Sequence, residues 1–520
     1  MIQSFLTVFS GTLASRLLGF LRDSLMAALL GTGPVADAFL AAFQLVNVIR
    51  RLLTEGALNA ALVPIWLRLR QHDGETVAAA FAGRVLGTVS VGLIAATAVL
   101  ALVMPVVMSV LAPGFAGHQT LSLAVDDARL MLPYLAFAGP STVLLALSSA
   151  HGRFALTAFS PLLFNIALIM VAIVLLMMHG DAALAALLLA VTIGGSGLLQ
   201  LLVLLLRGRS GAFAAPIRMS TDPEMRGFIR KALPGMVASA SPQLLAVGGA
   251  IIASTQPSAV SWLYFANRLI ELPLGIVSVA MGAVLVPELT RALHAGDRTA
   301  LAHAQSRGLE LALGLALPAT LGLMLLSAPI VRLLFVHGAF TADDAAATAQ
   351  ILTWLAFALP AQVLSKALAP AFFAREDTEM PLRAAMIGFA VAIVFAFLFG
   401  RWFGASGIAA GLALGAWANA LILLRRGAAA FGFALDRAAR RRLPRIVAAA
   451  AIMGCVLWLA TRFTAGPPAD LHSLAQAALL LALVCGAVAV YGLLLAGFDV
   501  TGWRDARAAL RRKPSAHLRS

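Results

Sequence analysis

The chain has 520 residues, of which 61% are hydrophobic and 12% charged, and its mean hydropathy is +0.94. No soluble globular domain of ordinary composition comes near these values, so they define an integral membrane protein. The formal charge of +15 does not point to nucleic acid, because the basic residues gather in the loops on one side of the apolar segments.

The opening stretch MIQSFLTVFSGTLASR lacks a basic leader and a small-residue cleavage site, and is read as the start of a spanning helix. Windows of about 20 apolar residues predict helices over 4–30, 37–66, 77–111, 123–150, 157–178, 183–206, 226–253, 258–290, 308–335, 345–373, 381–400, 405–424, 444–463 and 471–497. The expected fold is therefore an all-α polytopic membrane protein with 14 transmembrane helices; a β-barrel, with short alternating segments, is excluded. Asp222-Pro223, Thr341 to Asp344 and Asp126-Asp127 are read as helix N-termini, where carboxylates cap free N–H groups. Glycines 194, 195 and 197 fall inside the sixth helix, where small residues let helices pack closely. Cys455 and Cys485 lie in apolar runs and are expected to be small buried hydrophobes, with no disulfide or metal site. Of the 38 Lys and Arg residues, 28 fall in alternate loops and the C-terminal tail, against four (Arg129, Arg332, Arg401, Arg462) in the opposite loops. An even number of spans puts both termini on one side, and the basic bias makes that side cytoplasmic.

Sliding the chain on itself by 223 residues lays GTGPVADAFLAAFQLVNVI over STQPSAVSWLYFANRLIEL. Pro34 then meets Pro257, Ala36 meets Ala259, and Leu62-Val63-Pro64 meets Leu285-Val286-Pro287. Nearly the same offset relates Gly114-Phe115 to Ala339-Phe340 and Arg153 to Arg375. This predicts an N-lobe at 1–218, a C-lobe at 219–430 and an appendage at 431–520 comprising two helices and a basic tail. Six helices in each lobe keep both lobes in the same orientation, a parallel repeat about an axis along the membrane normal, with substrate sites between the halves.

No nucleotide-cradling or zinc-protease motif is present. What stands out is charge inside predicted spans: Arg16, Arg22, Asp23, Asp37, Arg50, Arg51, Glu55, Arg268 and Glu271. An arginine at mid-bilayer costs about 2.5–3.5 kcal/mol on insertion scales, so such a cluster marks a functional site. Arg16 and Arg22 are separated by about 9 Å of rise and about 240° of rotation on a straight helix. Gly19 between them is a candidate bend, and Gly31, Gly33 and Pro34 are candidate flexible points. Arg51 with Glu55, and Arg268 with Glu271, have the spacing of in-helix ion pairs, which would make them neutral fasteners of helices. Asp23 and Asp37 can approach Arg16, Arg22 and Arg50 only through the fold. Arginine forks bind phosphate and carboxylate oxygens, so a cavity lined by these residues suits an anionic ligand with clustered phosphates.

At these residues the chain resembles the MurJ (MviN) family of lipid II flippases, within the multidrug/oligosaccharidyl-lipid/polysaccharide exporter superfamily. The resemblance is carried by SRLLGFLRDSLMAALLG, DAFLAAFQLVNVIRRLLTEGALNAALVP, APGF at Ala112 to Phe115, WLYFANRLIELPLGI and LAPAFFAREDTEMPLR. It implies a carrier in the bacterial inner membrane that moves lipid II, the undecaprenyl-diphosphate disaccharide-pentapeptide, to the periplasmic leaflet by alternating access. It also implies Arg16, Arg22, Arg50 or Arg51, and Arg268 as functional arginines, with Asp37, Glu55 and Glu271 as matching acids, and the last two helices flanking the lipid tail. Gln44, Val46 and Asn267 depart from residues common in the family. The reading is of a transporter and not an enzyme, with no cofactor or metal, driven by membrane potential or an ion gradient. Its partners would be lipid II, membrane lipids and cell-wall synthesis proteins, with no nucleic acid. Competing readings are an exporter of drugs or of another lipid-linked oligosaccharide, a polytopic glycosyltransferase using Asp126-Asp127, and a scaffold.

Overall fold

A computed structural model describes residues 2–54, 57–151, 154–207, 214, 216–220, 222–295, 298–373, 375, 377–431, 436–464 and 473–500. Among the described residues every regular element is helical. In chain order these are α1 (Ile2–Leu30), α2 (Pro34–Thr54), α3 (Ala57–His72), α4 (Glu75–Leu111), a 3-10 turn (Pro113–Phe115), α5 (Gln119–Met131), α6 (Pro133–Ala150), α7 (Phe154–Met177) and α8 (Ala182–Arg207). They continue with α9 (Pro223–Ala253), α10 (Ala259–His294), α11 (Arg298–Leu325), α12 (Ser327–Phe335), α13 (Ala342–Phe373), α14 (Glu379–Phe431), α15 (Arg437–Thr464) and α16 (Ser473–Gly497). Nine spans among the described residues are long and apolar enough to cross a membrane, so this is a multi-pass membrane protein.

Local chemistry explains the boundaries. Gly31 and Gly33 take φ of 60° and 116°, in the left-handed region, and Pro34 opens α2 where a missing N–H costs nothing. Pro133 likewise starts α6 directly after α5, but Leu132 between them keeps helical geometry, so Gln119–Ala150 is one span, as expected over 123–150. The stretch expected over 308–335 divides at Leu326 into α11 and α12. The two expected spans, 381–400 and 405–424, lie on either side of a kink in α14 at Gly404, whose φ 62°, ψ −146° breaks the helical geometry. Asp222 caps α9 by accepting the Met225 N–H at 2.8 Å. Thr341 and Asp344 cap α13 reciprocally, the Thr341 hydroxyl accepting the Asp344 N–H at 3.2 Å and donating to Asp344 Oδ2 at 2.7 Å. Asp126 and Asp127 do not cap: α5 begins at Gln119, and Asp127 is buried within it. Cys455 and Cys485 are free and exposed on α15 and α16, outside any core.

The chain divides into two compact units. The first comprises Met1–Arg268, Leu334–Ile351 and Phe389–Leu412. In it α1 packs on α7, α2 on α5, α6 on α8, and α3 on α9. The close approach of α8 depends on its glycines: a Cβ on Gly194 would collide with the Leu130 carbonyl oxygen, and one on Gly197 would meet the Tyr134 oxygen at 2.9 Å. The second unit comprises Leu269–Leu333, Leu352–Gly388 and Ala413–Ser520. There α15 packs against α11 and α16 against α15, around Ala449, Ala450, Met453 and Tyr491. A polar strip runs along the start of the α11–α15 contact. His303 Nδ1 meets Asp436 Oδ2 at 3.0 Å, Ser306 Oγ accepts the Asp436 N–H at 3.0 Å, and Arg442 Nη1 lies 3.5 Å from Glu310 Oε2.

Candidate functional site

Two of the intramembrane arginines of the first unit, Arg22 and Arg268, meet on one carboxylate. Asp23 of α1 is fully buried and Arg22 beside it is 5% exposed. Arg22 folds back so that Nε and Nη2 donate to Asp23 Oδ1 at 2.9 and 2.5 Å, while Nη1 donates to Asn165 Oδ1 of α7 at 3.1 Å. Tyr264 of α10 donates its hydroxyl to the same Asp23 oxygen at 3.2 Å. One helical turn further, Arg268 places Nε 2.5 Å from Asp23 Oδ2, with its side chain 19% exposed. Two guanidiniums thus share one carboxylate across two helices. Each buried ion costs several kcal/mol of desolvation; here hydrogen bonds from Arg22 and Tyr264 satisfy Asp23 Oδ1, while Oδ2 meets Arg268 as an ion pair.

Aromatic rings complete the surroundings of Arg22. Its Cζ lies 5.0 Å from the Phe43 ring centroid and 5.6 Å from that of Phe164, and Arg50 Cζ sits 5.6 Å from the same Phe164 ring. Such faces favour a cation by about 0.5–2 kcal/mol. Arg50 is half-buried and donates to Asn47 at 3.2 Å; Arg51 donates to Gln243 of α9 at 3.4 Å. Arg16 is half-buried on α1, and Glu271 is half-buried in the second unit. Glu55 lies outside the described residues, so its pairing with Arg51 has no structural account.

Three sequence expectations change here. Asp37 is not among the arginines: it accepts the Ser261 N–H at 2.9 Å and the Ser261 hydroxyl at 2.5 Å, capping α10 from another helix. Gly19 lies within an uninterrupted α1, and a Cβ there would meet Arg268 Nη2 at 2.5 Å. Its contribution to the site is room for the second guanidinium. The Gly31–Pro34 turn is likewise tightly packed. A Cβ on Gly31 would meet the Ala339 oxygen at 2.5 Å, the Ala339 N–H donates to the Ala28 oxygen at 2.8 Å, and Asp344 accepts from Thr32 at 2.6 Å and Trp262 at 3.1 Å. Gly33 faces open space.

Asn165, Tyr264, Phe43 and Phe164 were not singled out by the sequence. Asn165 carried a signal, as a lone amide in the apolar run FALTAFSPLLFNIALIMVAIVLLM, and Tyr264 is one of only three tyrosines. The phenylalanines carried none.

Long apolar helices make this a multi-pass membrane protein, and Arg22, Arg268 and Asp23 form a charged cluster within it. A family model described as lipid II flippase MurJ matches residues 26–475. A protein of Rhizobium meliloti (strain 1021), named a probable lipid II flippase MurJ, is 36% identical over 520 residues, covering 99% of this chain and 97% of that protein. The lipid II flippase MurJ of Burkholderia cenocepacia is 31% identical over 431 residues, covering 81% of this chain and 83% of that protein. Among solved structures, a lipid II flippase MurJ in an inward closed conformation has the same fold, with TM-score 0.78 at 21% identity, over 97% of this chain and 99% of that one. An inward-facing multidrug transporter of the MATE family follows at TM-score 0.69 and 15% identity, over 80% and 94%. The chain belongs to the MurJ family of lipid II flippases, which are transporters.

Proposed function

We propose that this protein carries lipid II from the cytoplasmic to the periplasmic leaflet of the bacterial inner membrane, with Arg22 and Arg268 as the fork that takes its diphosphate. The observation that carries this reading is the single carboxylate of Asp23 held between two guanidiniums. In the absence of cargo Asp23 satisfies both arginines; phosphate oxygens, which bind arginine forks in the same geometry, replace it when cargo enters. Exchange of one anion for another avoids leaving buried cations unpaired at any stage. Arg16, Arg50 and Arg51 extend the cationic lining toward the sugar-phosphate end, and Phe43 and Phe164 keep the guanidiniums oriented.

Fourteen spans follow if α2 with α3, α5 with α6, and α11 with α12 each cross once and α14 crosses twice about Gly404. Two six-helix repeats, 1–218 and 219–430, rock to alternate access; in their support, Gly/Ser-containing turns precede both α2 and α10. Both termini are cytoplasmic, in line with the basic loops. α15 and α16 flank the polyprenyl chain. No cofactor enters the scheme; membrane potential or an ion gradient drives it, and wall-synthesis enzymes are its partners.

The test is depletion and replacement with monitoring of outer-leaflet lipid II. Arg22→Ala and Arg268→Ala should each insert normally and lose transport; full transport by both would overturn the assignment. Accumulation of a different lipid-linked sugar on depletion would favour the rival exporter reading.

A further inference from the structure

Residues 216–220, between the two repeats, are laid into a groove of α4. Gly83 and Gly87, four residues apart and so on one face of that helix, form the floor. A Cβ on Gly83 would collide with the Pro216 carbonyl oxygen, and one on Gly87 would meet the Arg218 oxygen at 2.6 Å. The Arg218 N–H donates to the Gly83 oxygen at 3.4 Å. Thr88 then holds Ser220 at both ends of the residue: its hydroxyl accepts the Ser220 N–H at 3.1 Å and donates to the Ser220 oxygen at 3.3 Å. Arg84, on the turn between, reaches the start of α9, with Nε 3.1 Å from Asp222 Oδ2 and Nη2 2.6 Å from Glu224 Oε2. Beneath this, Ala214, Met225 and Phe228 are buried in one cluster with Phe81 and Val85, and the Phe81 and Phe228 rings meet edge to face at 6.4 Å.

Backbone bonds, glycine contacts, ion pairs and buried apolar surface thus all fasten the same few residues. A connection that must lengthen or swing when two lobes rock would be expected to make few such contacts, since each must be broken on every cycle. We infer that residues 216–220 and 222–224, with Ala214 beneath them, are a permanent strap, which fixes the foot of α9 to α4 of the first repeat throughout transport, so that the rearrangement between repeats is taken up elsewhere than at their covalent connection. The inference rests on the two-repeat carrier reading above, and adds that the foot of α9, second-repeat by sequence, is first-repeat by mechanics.

A Thr88→Cys, Ser220→Cys pair, in a Cys455→Ser, Cys485→Ser background, tests it. The strap predicts that oxidation gives a near-complete disulfide without denaturant, and that the oxidised carrier flips lipid II within about twofold of its reduced form. Failure of the disulfide to form, or a tenfold loss of transport on oxidation that reductant restores, would overturn it. Loss of transport already in the reduced background counts against the carrier reading and not against the strap, which the disulfide yield reads alone. As a second measurement, Gly83→Leu with Gly87→Leu should raise maleimide labelling of an Ala214→Cys reporter at least tenfold; unchanged labelling would contradict the proposal.

Discussion

Two charged clusters, one on each of the two units, use the same residue types to opposite ends. On α1 and α10, two arginines close on one fully buried aspartate, with an amide, a phenol and two phenylalanine rings filling the remaining directions. On α11 and α15, acids and bases are matched one to one and remain partly exposed: the Glu310 and Asp436 side chains are 16% and 25% exposed, and His303 and Arg442 more so. Matched, solvated pairs are worth about 0–1 kcal/mol each and act as fasteners. Two cations on one shared anion are costly to assemble; under the proposed function they are retained because that anion is exchanged for the cargo.

Removing the shared anion should have the largest effect. Asp23→Ala leaves two buried guanidiniums without their carboxylate and should destabilise the fold by about 3–5 kcal/mol, read as a large fall in Tm in detergent; a change no larger than that of Asp436→Ala would erase the distinction between the clusters. Gly19→Ala sharpens it from another side. The added Cβ collides with the end of the Arg268 side chain and makes ordinary contact with Asn165, so Tm should barely move, while transport should fall at least tenfold as the guanidinium is pushed off Asp23; equal transport would mean that Arg268 does not act from this position.

In the second cluster, Asp436→Ala should cost about 1 kcal/mol, the usual worth of an N-cap, with transport retained. Although some burial opposes it, the Ala439 N–H, His303 and Arg442 hold the Asp436 carboxyl below the usual carboxylate range. Its contribution is therefore fully present above the unfolded carboxylate value of about 3.9 and is lost as pH falls through the lower folded value. Acid titration of wild type and Asp436→Ala should converge in stability only below about pH 4. Arg442→Ala should have the smallest effect, under about 1 kcal/mol, again with transport intact.

The same contrast explains what the sequence disclosed. Helical, membrane-spanning character follows from apolar runs, and the caps at Asp222 and Thr341–Asp344 follow from local chemistry, so both were legible. That Arg22 and Arg268 are charges set within apolar helices was legible as well, because charge inside a span is conspicuous. Their arrangement was not. Neighbouring residues on a helix do not ordinarily face one another, so the Arg22–Asp23 pair runs against helical periodicity and forms only because the long arginine side chain turns back. Arg22 meets Asn165 across 143 residues of sequence and Tyr264 meets Asp23 across 241, distances that no local pattern encodes. Gly19 read as flexibility because the group that fills the space beside it, Arg268, arrives from α10. Asp126 and Asp127 resembled a cap because the weakly apolar first turns of α5 hid its true start.

The central claim, that Arg22 and Arg268 exchange Asp23 for a diphosphate, is tested most directly by titrating purified protein with lipid II. Charge-assisted hydrogen bonds are worth about 1.5–3 kcal/mol each, and about 1.4 kcal/mol is a tenfold change in affinity. The Arg22→Ala, Arg268→Ala double variant should therefore bind at least 100-fold more weakly, while Asp23→Asn, which weakens the resident competitor, should bind no more weakly than wild type. Wild-type affinity in the double variant, or loss of binding in Asp23→Asn with the fold intact, would contradict the account.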